Sequence, residues 1–377
     1  MPSSAEIRSA RRDVAASQLL LVKAAVLADG PALAAWEEWS ATAEPERMHH
    51  GEARLIAGAF RRLEELGAGG PVMSFAAGIY RRTWYANQLA VARMAIVLAA
   101  LERAGVPVLV LKGFALAPLA YGDLGARPME DVDLLVPPEL IERAVAALED
   151  EGLRQAGGMT RPSGLLANEV ELRDEEGNAV ELHAYALVES ADDADLWERR
   201  VGFSVRDVDA FAPCAEDALL LVVVHGQRWN TVQPVSWALD ACRLVESRGG
   251  EFDWVRFVSR AEARDLTLAA LRAVGMLTSL GIDPPPWVAE RLAGFPVGVA
   301  TALGDRAGRS FPGRLAAATF AWDRYRRFRE QAPDRDRPSG PVDWLARVWG
   351  IDGVGELPGE ARRRVAALNR TVERGVW

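Results

Sequence analysis

The chain is short of several residue types, and each shortage removes a class of protein. Cysteine occurs only twice, at Cys214 and Cys242. That leaves neither a disulfide scaffold nor a zinc ribbon, and both residues read as buried thiols. There is no Gly-x-Ser-x-Gly elbow and no Walker loop, so the serine-hydrolase and P-loop readings find no support. No uninterrupted apolar run approaches the roughly 20 residues of a spanning helix; Ala218 to Val224 is among the longest. Positive charge is not in excess either. A formal net charge of -9 argues against a surface built throughout for nucleic acid, while leaving room for a local basic face.

Lysine is the scarcest charged residue. Only Lys23 and Lys112 stand among 44 basic residues. A genome that favours arginine codons exchanges lysine for arginine wherever either serves. A lysine that persists then marks a place where a compact ammonium is needed and a planar guanidinium does not fit. At the N-terminus Arg8, Arg11 and Arg12 precede an apolar stretch, as in a signal peptide. However, Gln18 and Lys23 interrupt it, and Ala15, Leu19, Val22 and Val26 recur at helical spacing. The reading is an amphipathic surface helix in a cytoplasmic protein.

What is present fits a folded protein: 50% of the 377 residues are hydrophobic and 26% charged. Three regions differ in texture. Residues 1–104 read as helices, with breaks at Gly30-Pro31 and at Gly67 to Pro71, and with Tyr85 to Arg103 as a helix. Residues 105–213 change period. Val106 to Leu111 and Val132 to Val136 read as strands, Phe114 to Tyr121 and Glu139 to Glu151 as helices, and Phe203 to Val208 as a further strand. Glu169 to Arg173 and Ala179 to His183 flank the turn signal Asp174 to Asn178 and form a hairpin. Residues 214–377 return to helices: Glu216 to Trp229, Ser236 to Ser247, Trp254 to Ala263 and Leu266 to Leu280, with a break at Pro284 to Pro286 and an exposed loop from Gln331 to Pro341.

The chemistry centres on Asp131-Val132-Asp133-Leu134-Leu135-Val136. Aspartate is disfavoured in strands, yet two occur here at i and i+2, on one face. Their Cα atoms would lie about 6.5 Å apart, which lets both carboxylates share one divalent ion or bracket two. A solvated acidic edge strand is the plain alternative. Upstream, a strand ends in Leu111-Lys112-Gly113, where glycine lets a phosphate approach the backbone and Lys112 adds a point charge. Downstream, Val180-Glu181-Leu182-His183 sets another carboxylate and an imidazole on one strand face. A third acid from a neighbouring strand is what a two-metal phosphoryl or nucleotidyl transfer site requires.

His183 and His225 are candidates for a transition-metal site with Asp131 or Asp133, but no His-x-x-x-His or Cys-x-x-Cys pair supports it. His183 reads as orienting a carboxylate or contacting substrate, His225 as packing within its helix, and His49-His50 as a surface pair. The arginine clusters Arg324 to Arg329 and Arg362 to Arg364 read as solvated helix faces, with a tRNA or other polyanion platform as the alternative. Most of the 12 tryptophans, Trp237 and Trp254 among them, fall at core-like positions.

Taken in order, Leu111-Lys112-Gly113, Tyr121, Arg127, Asp131-Val132-Asp133-Leu134-Leu135-Val136 and Val180-Glu181-Leu182-His183 resemble the nucleotidyltransferase superfamily. The branch most similar is that of the uncharacterised nucleotidyltransferases. Glu216-Asp217, Val224-His225-Gly226, Trp237-Ala238-Leu239-Asp240 and Phe252-Asp253-Trp254 extend the likeness across roughly residues 85 to 285. The Lys-Gly and Arg-x-x-x-Asp-x-Asp arrangement is also similar to the nucleotidyltransferase-type toxins of abortive-infection systems.

The resemblance implies an α+β fold, a small mixed-sheet nucleotidyltransferase core flanked by helical regions. It implies transfer of a nucleoside monophosphate from an NTP donor, dependent on Mg²⁺ with Mn²⁺ as the substitute. Asp131 and Asp133 would ligate metal, Glu181 would be the third acid, and Lys112, Gly113, Arg127 and His183 would serve the nucleotide. The acceptor stays open among small molecule, peptide, protein and tRNA. One departure stands out: the superfamily follows its glycine with serine, and here Phe114 follows Gly113. A kinase using the same carboxylates, and a binding module that has lost catalysis, are the alternatives.

Overall fold

The computed structural model describes residues 4–48, 50–156, 169–187, 193–227 and 235–308. Beyond these it describes 322, 325–326, 328–330, 334, 337–348, 351, 354–360 and 362–363. In chain order the elements are α1 (Ser4–Val26), α2 (Asp29–Ser40), α3 (His50–Glu65), α4 (Pro71–Arg103), β1 (Leu109–Val110) and α5 (Lys112–Leu116), which runs into a π-helical turn at Ala117–Tyr121. Then come β2 (Asp131–Leu135), α6 (Ile141–Asp150), β3 (Arg154–Gln155), β4 (Glu169–Arg173), β5 (Ala179–His183), α7 (Ala194–Glu198), β6 (Val201–Val205) and β7 (Val208–Ala212). The remainder is helical: α8 (Ala215–Gly226), α9 (Ser236–Arg248), α10 (Trp254–Ala263), α11 (Thr267–Ser279), α12 (Pro286–Gly294), α13 (Val299–Gly308) and α14 (Pro341–Val348). The fold is α+β; the described residues form a small mixed sheet of five strands and a separate two-stranded one.

The chain divides into two compact units. The first comprises residues 1–92, 112–129 and 214–296. It is helical, and α9 runs through its middle against α1, α3, α8 and the π-helical turn. Its core holds the fully buried Leu21, Trp39, Leu55, Ile56, Leu63 and Phe257. The helix ends follow local chemistry. The break expected at Gly30-Pro31 falls just before it, between Val26 and Asp29, and the pair lies in the first turn of α2, where a proline costs no hydrogen bond. At the N-terminus of α10, Asp253 caps the helix by accepting from the Arg256 amide at 2.9 Å.

The second unit comprises residues 93–111, 130–213 and 297–377. Its five-stranded sheet has the order β1-β2-β5-β4-β3. Only β2 and β5 are parallel, with Asp133 opposite Glu181; the other neighbouring strands are antiparallel. Alternation along the strands separates two faces. Val132, Leu134, Val180, Leu182 and Leu172 are buried on one. The other carries Asp131, Asp133, Glu181, His183, Glu169 and Glu171. The apolar face drives sheet formation, and the polar face is what remains on the other side of the pleat.

Two further expectations change. In place of one strand at Phe203 to Val208 there is a hairpin, β6 and β7, turning at Arg206-Asp207 with Arg206 at φ 55°. And α4, though it has no long uninterrupted apolar run, is apolar and long enough to cross a membrane by length and composition. The expected absence of such a helix came from counting runs rather than averages. Within the protein, α4 is tied down through its polar residues: Asn87 and Tyr80 in the first unit, and Arg93, 2.6 Å from Glu176, in the second.

A candidate metal centre and a buried arginine

In the second unit, the parallel register of β2 and β5 sets Asp133 and Glu181 side by side on one face, with His183 one pleat further along β5. The His183 Nε2 lies 2.8 Å from Asp133 Oδ1 and 3.5 Å from Glu181 Oε2. One ligand atom from each of the three lies within 4.8 Å of the others. Asp133 is 1% exposed and His183 4%. A carboxylate this deep costs several kcal/mol unless it is paired, and the imidazole beside it supplies the pairing. On the other edge of the ring, His183 Nδ1 lies 3.8 Å from Glu169 Oε2 of β4.

Two carboxylates and an imidazole form a donor set that suits a divalent cation. Of the expected metal residues the structure thus brings together Asp133 and Glu181, and it adds His183, expected to serve the nucleotide. Asp131 shares their face but sits opposite Ala179, outside the group of three. The sequence reading did not include Glu169 and Glu171, which the antiparallel register of β4 places on this face opposite His183 and Glu181. His225, expected to pack within its helix, is exposed near the end of α8, where the flanking Val224 and Gly226 take the buried positions.

In the first unit, the expected nucleotide residues Lys112, Gly113 and Arg127 have a geometry of their own. Lys112 has φ 49°, a left-handed conformation rare for a side chain other than glycine. Gly113 and Phe114 are both buried. A Cβ on Gly113 would collide with Arg127 Nη1, so only glycine lets the guanidinium lie against this turn. Arg127 in turn makes a two-pronged pair with Asp240 of α9, Nε to Oδ1 at 2.8 Å and Nη2 to Oδ2 at 3.0 Å. The Tyr121 hydroxyl donates to Asp240 Oδ1 at 2.6 Å. Burial, followed by the Asp240 charge, holds the Tyr121 phenol well above its ordinary range.

The loop that delivers Arg127 is clamped from α4. Asn87 Nδ2 donates to the carbonyls of Leu124 and Arg127 at 2.5 and 2.8 Å, and its Oδ1 accepts from the Met129 amide at 3.1 Å. Tyr80 donates to Asp123, which also caps the Gly125 amide. Sequence reasoning did not single out Asn87, since polar residues such as Arg82, Gln88 and Arg93 stand near it in the same helix. Elsewhere, Cys214 and Cys242 are buried free thiols, as expected. In the arginine clusters, Arg326 pairs with Glu330 and Arg363 with Glu360, while Arg324, Arg327, Arg364 and His49 lie outside the described residues.

Comparison with known proteins adds the following. The family described as uncharacterised nucleotidyltransferases matches residues 36–280. No curated protein matches. Among solved structures, one similar chain is the lincomycin-bound crystal structure of lincosamide antibiotic adenylyltransferase LnuA. It is 17% identical, spans 40% of this chain and 92% of that one, and has a TM-score of 0.30. Another is the solution structure of the antibiotic-resistance factor ANT(2'')-Ia. It is 16% identical, spans 48% of this chain and 96% of that one, and has a TM-score of 0.33.

Proposed function

The chain belongs to the uncharacterised nucleotidyltransferase family, and from that premise we propose that it moves a nucleoside monophosphate from an NTP to an acceptor, releasing pyrophosphate. The single observation that carries the reading is the in-register pairing of Asp133 with Glu181 on a parallel strand pair, with His183 against both. Asp133 and Glu181, with Asp131 on the same strand face, would hold a divalent cation, Mg²⁺ or Mn²⁺; the gathered donors Asp133, Glu181 and His183 fit one. When bound, such an ion neutralises charge on the triphosphate as the bond to the α-phosphorus changes hands.

The chain's own groups have separate tasks. Glu181, less buried than Asp133, takes the proton of the acceptor hydroxyl as its oxygen attacks the α-phosphorus. The bond from that phosphorus to the bridging oxygen breaks, and the pair of electrons leaves with pyrophosphate. Lys112 neutralises triphosphate oxygens, and Gly113 exposes backbone where a side chain would stand. Arg127 braces that turn and is itself held by Asp240, so a phosphate contact from Arg127 would compete with this pair.

The experiment is transfer from α-labelled NTP in the presence of Mg²⁺, wild type against the Asp131→Asn, Asp133→Asn double variant. Label should reach the acceptor fraction only with wild type. Transfer by the double variant at near wild-type rate would sink the assignment, and transfer of only a γ-label would make the protein a kinase. The buried Phe114 after Gly113 favours one second reading, a nucleotide-binding module without catalysis. Metal-dependent NTP binding without any transfer is the result that would select it.

A further inference from the structure

The reading above assigns carboxylates to a divalent cation but leaves the kind of cation and its remaining protein ligand open. We propose that His183 is that ligand, through Nε2, and that it tunes the site toward a first-row transition cation over Mg²⁺. This rests on the carboxylate assignment and specifies the ion it holds.

The distances are those of a ligand set already gathered. Two neighbouring ligand atoms bound at about 2.1 Å lie roughly 3.0 Å apart on an octahedron and roughly 3.4 Å apart on a tetrahedron. The Nε2 of His183 stands 2.8 Å from Asp133 Oδ1 and 3.5 Å from Glu181 Oε2, which brackets both figures. All three ligand atoms lie within 4.8 Å of one another, so small rotations close the set around one ion. Burial of Asp133 and His183 means that neither side chain has solvent as its alternative partner.

The far side of the ring supports the same assignment. Histidines that bind metals commonly turn the other ring nitrogen toward a carboxylate, which orients the ring and raises its basicity. Glu169 stands on that side of the ring, with Oε2 3.8 Å from Nδ1, just beyond a direct hydrogen bond. The strand pairing sets this up from the backbone, since Glu169 is the register partner of His183. Ligand chemistry then decides the ion. Mg²⁺ takes oxygen ligands and keeps several waters, whereas an imidazole nitrogen beside carboxylates suits softer divalent cations.

The test is Mn²⁺ binding to the full chain without nucleotide. Free Mn²⁺ is followed by electron paramagnetic resonance, and nitrogen coupling to the bound ion by spin-echo modulation. Wild type should bind Mn²⁺ with a nitrogen coupling. His183→Gln should lose that coupling and bind Mn²⁺ at least about tenfold more weakly, with a smaller loss for Mg²⁺. Glu169→Gln should keep the coupling. The wild-type spectrum decides the matter even where a variant fails to fold. Bound Mn²⁺ without nitrogen coupling overturns the inference; if Asp133→Asn then abolishes binding, the carboxylate reading survives alone. Mn²⁺ binding unaffected by Asp133→Asn, or absent from wild type, overturns the inference and removes the carboxylate assignment as its basis.

Discussion

Replacing Asp240 by alanine should cost the helical unit about 3 kcal/mol, at the low end of what stranding one partner of a buried ion pair costs. The number follows from position. The side chains of Arg127 and Asp240 are 12% and 10% exposed, so the guanidinium left behind has little water to turn to. It loses bonds of 2.8 and 3.0 Å, and Tyr121 loses its acceptor at 2.6 Å. For a unit of this size that corresponds to a fall of roughly 6–12 °C in its unfolding temperature. Replacing both partners with apolar residues of similar volume, Arg127→Met with Asp240→Leu, removes the stranded charge and should cost much less than the sum of the single variants. Scanning calorimetry of wild type, Arg127→Met, Asp240→Leu and the double variant closes the cycle, with Asp240→Ala measured beside them. The reasoning fails if Asp240→Ala costs under about 1 kcal/mol, or if the two changes simply add to within about 0.5 kcal/mol.

Three further outcomes follow from the same unit. Gly113→Ala puts a methyl group where Arg127 Nη1 lies, and Asp240 prevents the guanidinium from swinging aside. The variant should lose about 1–3 kcal/mol by overpacking, and most of that loss should vanish in an Arg127→Ala background. An equal cost in both backgrounds, read from urea unfolding midpoints, would refute the contact. Burial and then the Asp217 carboxylate push Cys214 up to about 11, and burial and then Glu246 push Cys242 up to about 12, from an ordinary 9.0. Fewer than about one thiol in a thousand is then ionised at pH 8, so a disulfide reagent should label them only as the protein unfolds; prompt labelling of the native chain would contradict it. In the folded state these thiols keep a proton that the unfolded chain gives up near pH 9. Their contribution to stability is therefore complete below that pH and should drain away between about 9 and 12, and Tyr121 acts in the same direction. An unfolding midpoint unchanged between pH 8 and pH 11 would refute it.

How much of this could be read from the chain depends on how local each signal is. The hairpin β4–β5 matches its reading to the residue, because Asp174 writes the turn into five consecutive positions: it accepts from the Glu176 and Asn178 amides and from the Asn178 side chain. Those bonds, with Arg93, outweigh the desolvation that would raise its carboxyl, and hold it below its ordinary range. Helix α10 also matches, since Asp253 marks its start. The β6–β7 hairpin reads as one strand in the sequence because Arg206-Asp207 carries no glycine, and the left-handed Arg206 has no sequence signature. Asp240 stands 113 residues from Arg127. It appeared in the sequence only as part of a family pattern, and its task needed the fold.

The acidic face shows why the paired carboxylates belong to the architecture. Val132, Leu134, Val180 and Leu182 fix the register of β2 against β5 by burying one face of the sheet. A slip of one residue would turn Asp131 and Asp133 into that apolar layer, at a cost of several kcal/mol per carboxylate. A slip of two residues would keep those valines and leucines on the apolar face; the register observed is the one that sets Asp133 beside Glu181. Antiparallel addition of β4 extends the same logic, bringing Glu169 opposite His183. The hydrophobic alternation that forms the sheet thereby determines which carboxylates share a face, and the register determines which of them meet. A variant that weakens the apolar face, such as Leu182→Ala, should loosen the cation site without touching a ligand. Its Mn²⁺ affinity should fall along with its unfolding midpoint, and unaltered affinity in a clearly destabilised protein would separate the two and defeat this account.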